Sequence, residues 1–132
     1  MRWRWNSIWK NYFKKIKDVL KKDGLAGIQV ILINNKSYQK YSKSVDFIQK
    51  YVFPGGMLPS QEKLNENYVD AGLVEVNSHS FGKSYAKTLT IWHKEFLNSL
   101  SAIKKLGFDI KLERIFKYYF SYCKAGFNSE RI

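Results

Sequence analysis

The residues able to carry chemistry in this sequence are few, and their spacing excludes most of what they could do. Histidines stand at positions 79 and 93, and the only cysteine is Cys123. Structural metal sites draw on ligands at short, regular spacing, such as cysteine pairs two to four residues apart. His79 and His93 lie far apart and Cys123 has no cysteine partner, so each reads as a surface or core residue rather than a ligand. No G-x-S-x-G elbow supports serine nucleophile chemistry. No two of the eight glycines stand one residue apart, so there is no G-x-G turn to bring backbone near a nucleotide. Gly55-Gly56, flanked by Pro54 and Pro59, reads as a turn and not as a phosphate cradle. The polar residue most out of place is Gln29, which alone interrupts the apolar run from Leu25 to Ile33. Burying its amide costs free energy unless it finds a hydrogen-bond partner.

Charge is the other chemical signal. Lys and Arg outnumber Asp and Glu by 23 to 11, a formal charge of +12. A surplus of this size favours polyanionic partners, either nucleic acid or an anionic membrane surface. The alternative is a merely solvated lysine-rich exterior. Nucleic acid ranks below membrane, because no recognition motif accompanies the charge. A single cysteine forbids an intrachain disulfide and suits a reducing compartment. The basic, aromatic start from Met1 to Trp5 has no signal-peptide core, and no run approaches about 18 apolar residues. The expected location is the cytoplasm, peripheral at the inner face of the membrane if the charge meets lipid.

These side chains need elements to hold them. Hydrophobic residues form 45% of the chain and aromatics 17%, which places it among globular rather than disordered sequences. Trp5, Trp9, Tyr12, Phe13, Ile16, Val19 and Leu20 recur at helical spacing with Lys10, Lys14, Lys17 and Lys21 opposite. Asp23-Gly24 is the stop signal. Packing this aromatic side onto a sheet and laying it on a membrane are both open, and the first is favoured because an apolar segment follows directly. Leu25 to Ile33 predicts a strand buried on both faces, as in a parallel sheet. A short helix is predicted around Phe47 to Val52, and another over Lys63 to Ala71 with Ser60 as N-cap and Glu62 in the first turn. Leu73, Val74 and Val76, extending toward His79, predict a second strand. Tyr85, Leu89, Trp92, Phe96, Leu100 and Ile103 trace one long helix stopping at Gly107. Leu112, Ile115, Phe116, Tyr119, Phe120 and Cys123 trace another, ending near Gly126. No linker or repeat divides the chain, so residues 1–132 read as a single, partial domain. Two strands are too few for a sheet buried on both faces, which implies a missing portion.

Particular segments carry a resemblance. Leu20-Lys21-Lys22-Asp23-Gly24 leads into the apolar run as L-K-P-G-G leads into the fifth strand of class I methyltransferases. Asp46-Phe47-Ile48-Gln49-Lys50-Tyr51-Val52-Phe53-Pro54-Gly55-Gly56-Met57-Leu58-Pro59-Ser60 is more specific. It resembles the I-x-K-Y-I-F-P-G-G-x-L-P-S signature of the cyclopropane-fatty-acyl-phospholipid synthase and mycolic acid cyclopropane synthase family. Phe81 to Leu89 resembles that family's F-G-x-x-Y-x-x-T-L, Trp92 to Phe96 its W-x-x-x-F, and Tyr118 to Phe127 its Y-Y-L-x-x-C-x-A-G-F.

The resemblance implies the fold class: α/β, the carboxyl-terminal part of a class I, Rossmann-like methyltransferase domain, with strands five and six and their flanking helices. The implied chemistry is methylene addition from S-adenosylmethionine across a cis double bond of a phospholipid acyl chain, with bound bicarbonate taking a proton as the ring closes. Of the family's bicarbonate ligands, the histidine position falls on Gln29, the isoleucine backbone on Ile31 and the tyrosine hydroxyl on Tyr85. The cysteine and glutamate of that set would precede residue 1, so Cys123 is not that cysteine and reads as core. An amide in the histidine position hydrogen-bonds to carbonate but cannot titrate. An anion at the strand's carboxyl end would give Gln29 a partner, since ligands of open α/β sheets bind there; backbone or a neighbouring side chain would serve as well. Tyr85 reads equally as the first core residue of its helix. The resemblance places the glycine-rich S-adenosylmethionine loop upstream and a last strand beyond Ile132. The expectation is a truncated chain that binds no S-adenosylmethionine and is silent alone, with an upstream fragment of the same enzyme or an anionic phospholipid surface as partner. Strand edges left unpaired would make it poorly soluble.

Overall fold

The structure, a computed structural model, describes residues 3–132, with side chains from Ser7 onward. The basic, aromatic start from Met1 to Trp5 therefore lies outside the described side chains. Among the described residues the elements are α1 (Trp3–Val19), α2 (Asn35–Tyr41), α3 (Phe47–Tyr51), α4 (Gln61–Asp70), α5 (Gly82–Asn98), α6 (Leu100–Lys105) and α7 (Ile110–Asn128). They fall into two compact units. The first holds Met1–Ser42 and Met57–His79, the second Lys43–Gly56 and Ser80–Ile132.

In the first unit α1 packs on α4. The i, i+4 spacing of Trp9 and Phe13 puts both rings on one side of α1, stacked at 6.2 Å. Phe13 is buried to 1% exposure and meets Tyr68 of α4 edge-on at 6.2 Å. Lys17 sits in the last turn of α1, where the helix dipole favours a cation. The helix ends at Val19, one turn before the Asp23-Gly24 stop. Asp23 itself holds a left-handed φ of 59°, and Gly24 N–H donates to Lys21 O at 2.9 Å. Downstream, Asn34 caps α2 by accepting from Lys36 N–H at 2.9 Å. The sequence reading misses this helix, whose Asn-Lys-Ser-Tyr-Gln-Lys-Tyr composition has no apolar stripe. Ser60 caps α4, as its position predicts. Gly72 follows in a left-handed turn at φ +74°.

The two expected strands are not formed among the described residues. Neither 25–33 nor 73–79 has regular structure. Leu25 is 79% exposed, and Ile28, Ile31, Val74 and Val76 are exposed with it. The physical reason is direct. A strand exists only by pairing with a neighbour, and an apolar run without one gains nothing from extending. Ile33 is the exception: it is buried, and its N–H donates to Pro59 O at 3.0 Å.

The second unit is built on α5 against α7. Ala86, Leu89, Phe120 and Phe127 form its buried core, with Tyr85, Phe96, Phe116, Tyr119, Cys123 and Ile132 packed around it. The predicted helix from Tyr85 to Ile103 breaks at Ser99, which holds φ −91° and ψ 0° and donates to both Glu95 O and Phe96 O. Asn98 and Ser99 are residues whose side chains compete for backbone partners and weaken a helix. Gly107 closes α6 at φ +91°, and Asp109 caps α7 by accepting from Leu112 N–H at 3.0 Å. Lys104 and Lys117 both pair with Glu113, at 3.1 and 2.6 Å. α7 ends at Asn128, two residues past Gly126 and close to the expected end.

Candidate functional site

The segment from Asp46 to Ser60 is built by closely fitted backbone chemistry. Asp46 accepts from Gln49 N–H at 2.8 Å, while the Gln49 side chain accepts from Asp46 N–H at 3.0 Å, a capping box that starts α3. The same Gln49 amide donates to Gly56 O at 2.9 Å, so one side chain fastens both the helix start and the loop. Pro54 and Gly55 occupy the middle of a four-residue turn closed by Gly56 N–H donating to Phe53 O at 2.9 Å. Gly55 has φ +80°, the conformation that a type II turn demands at this place. Asp46 also accepts from the Tyr122 hydroxyl of α7 at 3.4 Å, and Phe53 meets Tyr119 edge-on at 6.4 Å.

The later part of the segment is held within the first unit. Leu58 N–H donates to the Tyr41 hydroxyl at 3.1 Å, and Pro59 O accepts from Ile33 N–H. The Asn35 amide donates to the Glu62 carboxylate at 3.0 Å. The end of the apolar run is thereby fixed to the start of α4, although the run itself is unpaired.

Gln29 and Ile31 lie in that run, and both are exposed. Neither the Gln29 amide nor the Ile31 N–H has a hydrogen-bond partner among the described residues. The cost of burial that singles out Gln29 does not arise here, because water reaches it. Tyr85 is in the first turn of α5 and half-buried. Its ring packs on Phe127 at 4.9 Å and Trp92 at 6.0 Å, and its hydroxyl has no hydrogen-bond partner among the described residues. It is a core ring with an available polar tip. All three groups offer hydrogen-bond donors, the chemistry that carbonate oxygens require. Gln29 and Ile31 belong to the first unit and Tyr85 to the second.

The remaining candidates separate cleanly. His93 stacks on Phe120 at 5.3 Å and is half-buried. With Thr90, Ser121, Lys124, Ala125 and Asn128 it lines a surface depression of about 260 Å³. Among the described residues no group of histidine, cysteine, aspartate and glutamate could hold a metal ion. The Cys123 thiol is pushed up to about 11, first by burial and then by the negative charge of Asp46. Burial likewise raises the Tyr119 and Tyr122 hydroxyls. A thiol in this state is a poor nucleophile at neutral pH, which agrees with its reading as core. No described helix is long and apolar enough to cross a membrane. Sequence reasoning overlooks Gln49 and Tyr41. Gln49 was findable, because it stands three residues after an N-cap Asp; Tyr41 had no local signal.

The model of the mycolic acid cyclopropane synthetase family matches residues 6–132. Tuberculostearic acid methyltransferase UfaA1 of Mycobacterium tuberculosis is 32% identical over 122 residues, covering 92% of this chain and 29% of the relative. Cyclopropane-fatty-acyl-phospholipid synthase of Escherichia coli K12 is 30% identical over 122 residues, covering 92% of this chain and 30% of the relative. The chain thus spans under a third of the length of either. The solved cyclopropane synthase MmaA2 from Mycobacterium tuberculosis shares the fold at a TM-score of 0.81, with 18% identity, over 96% of this chain and 47% of that one.

Proposed function

We propose a function on the premise that this chain belongs to the mycolic acid cyclopropane synthetase family. In this reading it is the carboxyl-terminal part of an S-adenosylmethionine-dependent methyltransferase that adds a methylene across a cis double bond of a phospholipid acyl chain. The observation that carries the reading is the family match over nearly the whole chain. The names of its relatives, a methyltransferase and a fatty-acyl-phospholipid synthase, support it.

The resemblance to the family assigns the Gln29 amide, the Ile31 N–H and the Tyr85 hydroxyl, each taken by itself, as hydrogen-bond donors to bicarbonate. Bicarbonate, when bound, supplies the base that takes the proton as the ring closes. Gln29 contributes orientation only, because an amide cannot carry a proton through the cycle. The residues present do not fit S-adenosylmethionine: the sequence has no G-x-G turn, and Gly55-Gly56 closes a loop onto its own backbone. The 132 residues alone are therefore catalytically silent. Calorimetry with S-adenosylmethionine tests this, and micromolar binding to the isolated chain would refute it.

The unpaired run from Leu25 to Leu32, with Leu25, Ile28 and Ile31 exposed, favours a second arrangement, in which a separate chain carrying the cofactor-binding half completes the domain. Co-expression with the amino-terminal part of the Escherichia coli relative should then yield a complex and cyclopropane lipids. Failure to co-purify would count against it. A non-catalytic reading rests on the charge of +12. It makes the chain a peripheral protein of an anionic membrane surface, with salt-sensitive vesicle binding. Equal binding to neutral vesicles would remove its electrostatic basis.

A further inference from the structure

The second unit carries an aromatic face that its core does not use. Phe47 of α3 meets Tyr118 edge-on at 4.5 Å, Tyr51 at 5.5 Å and Tyr122 at 6.1 Å, and Tyr118 meets Tyr122 at 5.7 Å. These rings lie outside the buried cluster of Ala86, Leu89, Phe120 and Phe127. Tyr51, Phe53 and Tyr118 are 49%, 58% and 52% exposed. The face is rimmed by cations. Lys50 lies 5.0 Å over the Tyr51 ring, and the charge of Arg131 reaches the Tyr122 hydroxyl. Lys111 and Arg114 precede Tyr118 by seven and four residues on the same side of α7, and neither has a partner among the described residues. The one carboxylate in the cluster, Asp46, is engaged by Gln49 and Tyr122.

We propose that this aromatic, lysine- and arginine-rimmed face of α3 and α7 is where the chain docks on an anionic lipid surface. The proposal rests on the membrane-surface reading and assigns it a place. Tyrosine suits the bilayer interface because its ring is apolar and its hydroxyl stays wet. Lysine and arginine beside it extend their stems along apolar surface and present charge to head groups. The rings are already packed on one another and anchored by the Asp46 cap, so little side-chain freedom is lost on docking. The rival surface, α1, exposes Ile8, Tyr12 and Val19 beside its lysines, but its aromatic side is turned inward. Its Phe13 is buried, its Trp9 is stacked on Phe13, and Lys10 is paired with Asp70 at 3.4 Å.

The test is co-sedimentation of the full chain with vesicles of phosphatidylcholine alone or mixed with phosphatidylglycerol. Three variants are compared: Tyr51→Ser with Tyr118→Ser, Lys50→Glu with Arg114→Glu, and Ile8→Ser with Tyr12→Ser and Val19→Ser. Basic residues near such a surface add attraction one by one, so the double charge reversal should weaken binding to the mixed vesicles about tenfold or more. The tyrosine pair should weaken it comparably, and the α1 variant should bind like the unaltered chain. Circular dichroism checks that the exposed substitutions leave the helices intact. Loss of binding in the α1 variant alone would overturn the assignment and keep the membrane reading. No binding of the unaltered chain to mixed vesicles would end both. If the tyrosine variant binds vesicles normally but fails to co-purify with a complementing half, the face belongs to a polypeptide and the proposal falls.

Discussion

Leu89→Ala tests the packing argument most sharply. Leu89 is 1% exposed at the α5–α7 seam, in the cluster with Ala86, Phe120 and Phe127. The substitution removes three carbons, and at about 0.8 kcal/mol each the lost transfer energy is about 2.4 kcal/mol. A residual void adds to this, placing Leu-to-Ala changes in the range of about 2–5 kcal/mol. The neighbours are large rings already packed on one another, so they cannot close the gap completely. A loss of about 3 kcal/mol follows, against a typical domain stability of about 5–15 kcal/mol. Urea unfolding followed by far-ultraviolet circular dichroism reads this directly. With a slope of about 1–3 kcal/mol per molar, the midpoint should fall by about 1–3 M. Leu106→Ala is the control: Leu106 is 76% exposed, and its removal should change stability by no more than about 0.5 kcal/mol. Equal effects of the two, or a loss at Leu89 under about 1 kcal/mol, would refute the claim that this seam is the core of the second unit.

Three further outcomes are expected. Asp46→Ala removes the cap of α3 and should cost about 0.5–2 kcal/mol, read as a lower unfolding midpoint than Asn at the same place gives. Gly55→Ala meets no atom within 4 Å, so its cost is the backbone penalty at φ +80° alone, about 1–2 kcal/mol in the same unfolding assay; no change would mean the turn readily reshapes. The Cys123 thiol, raised to about 11 from an ordinary 9, stays protonated in the folded chain while the unfolded chain ionises first. Stability should therefore fall as pH rises from about 9 toward 11, and Cys123→Ala should make that slope shallower, the raised Tyr119 and Tyr122 hydroxyls keeping the remainder. At about pH 8 alkylation should be slower in the folded chain than in denaturant, and equal rates would count against a buried thiol.

Local signals account for the successes of the sequence reading. Ser60 as a cap, the helical spacing of α1, α5 and α7, and the glycine turns at positions 55 and 107 depend on neighbours a few residues away, and they hold in the structure. The family was readable too, because Phe53-Pro54-Gly55-Gly56 and the segments around Tyr85 and Tyr118 are linear patterns. The candidate site, Gln29, Ile31 and Tyr85, was legible through the resemblance, and residue chemistry by itself pointed only to Gln29. The cost of burying an amide singles out Gln29, and the exposed run removes that premise.

What the sequence determined by itself is therefore the set of longer helices, the turn at Gly55 and the family. Only the tertiary structure decided that Leu25 to Leu32 stays unpaired, that the long helix breaks at Ser99, and that Gln49 and Tyr41 hold the two ends of the signature loop. The reason is range. A cap or an amphipathic stripe is satisfied within one or two turns of its own helix, whereas a strand, a loop anchor or a buried site is satisfied by groups distant in sequence.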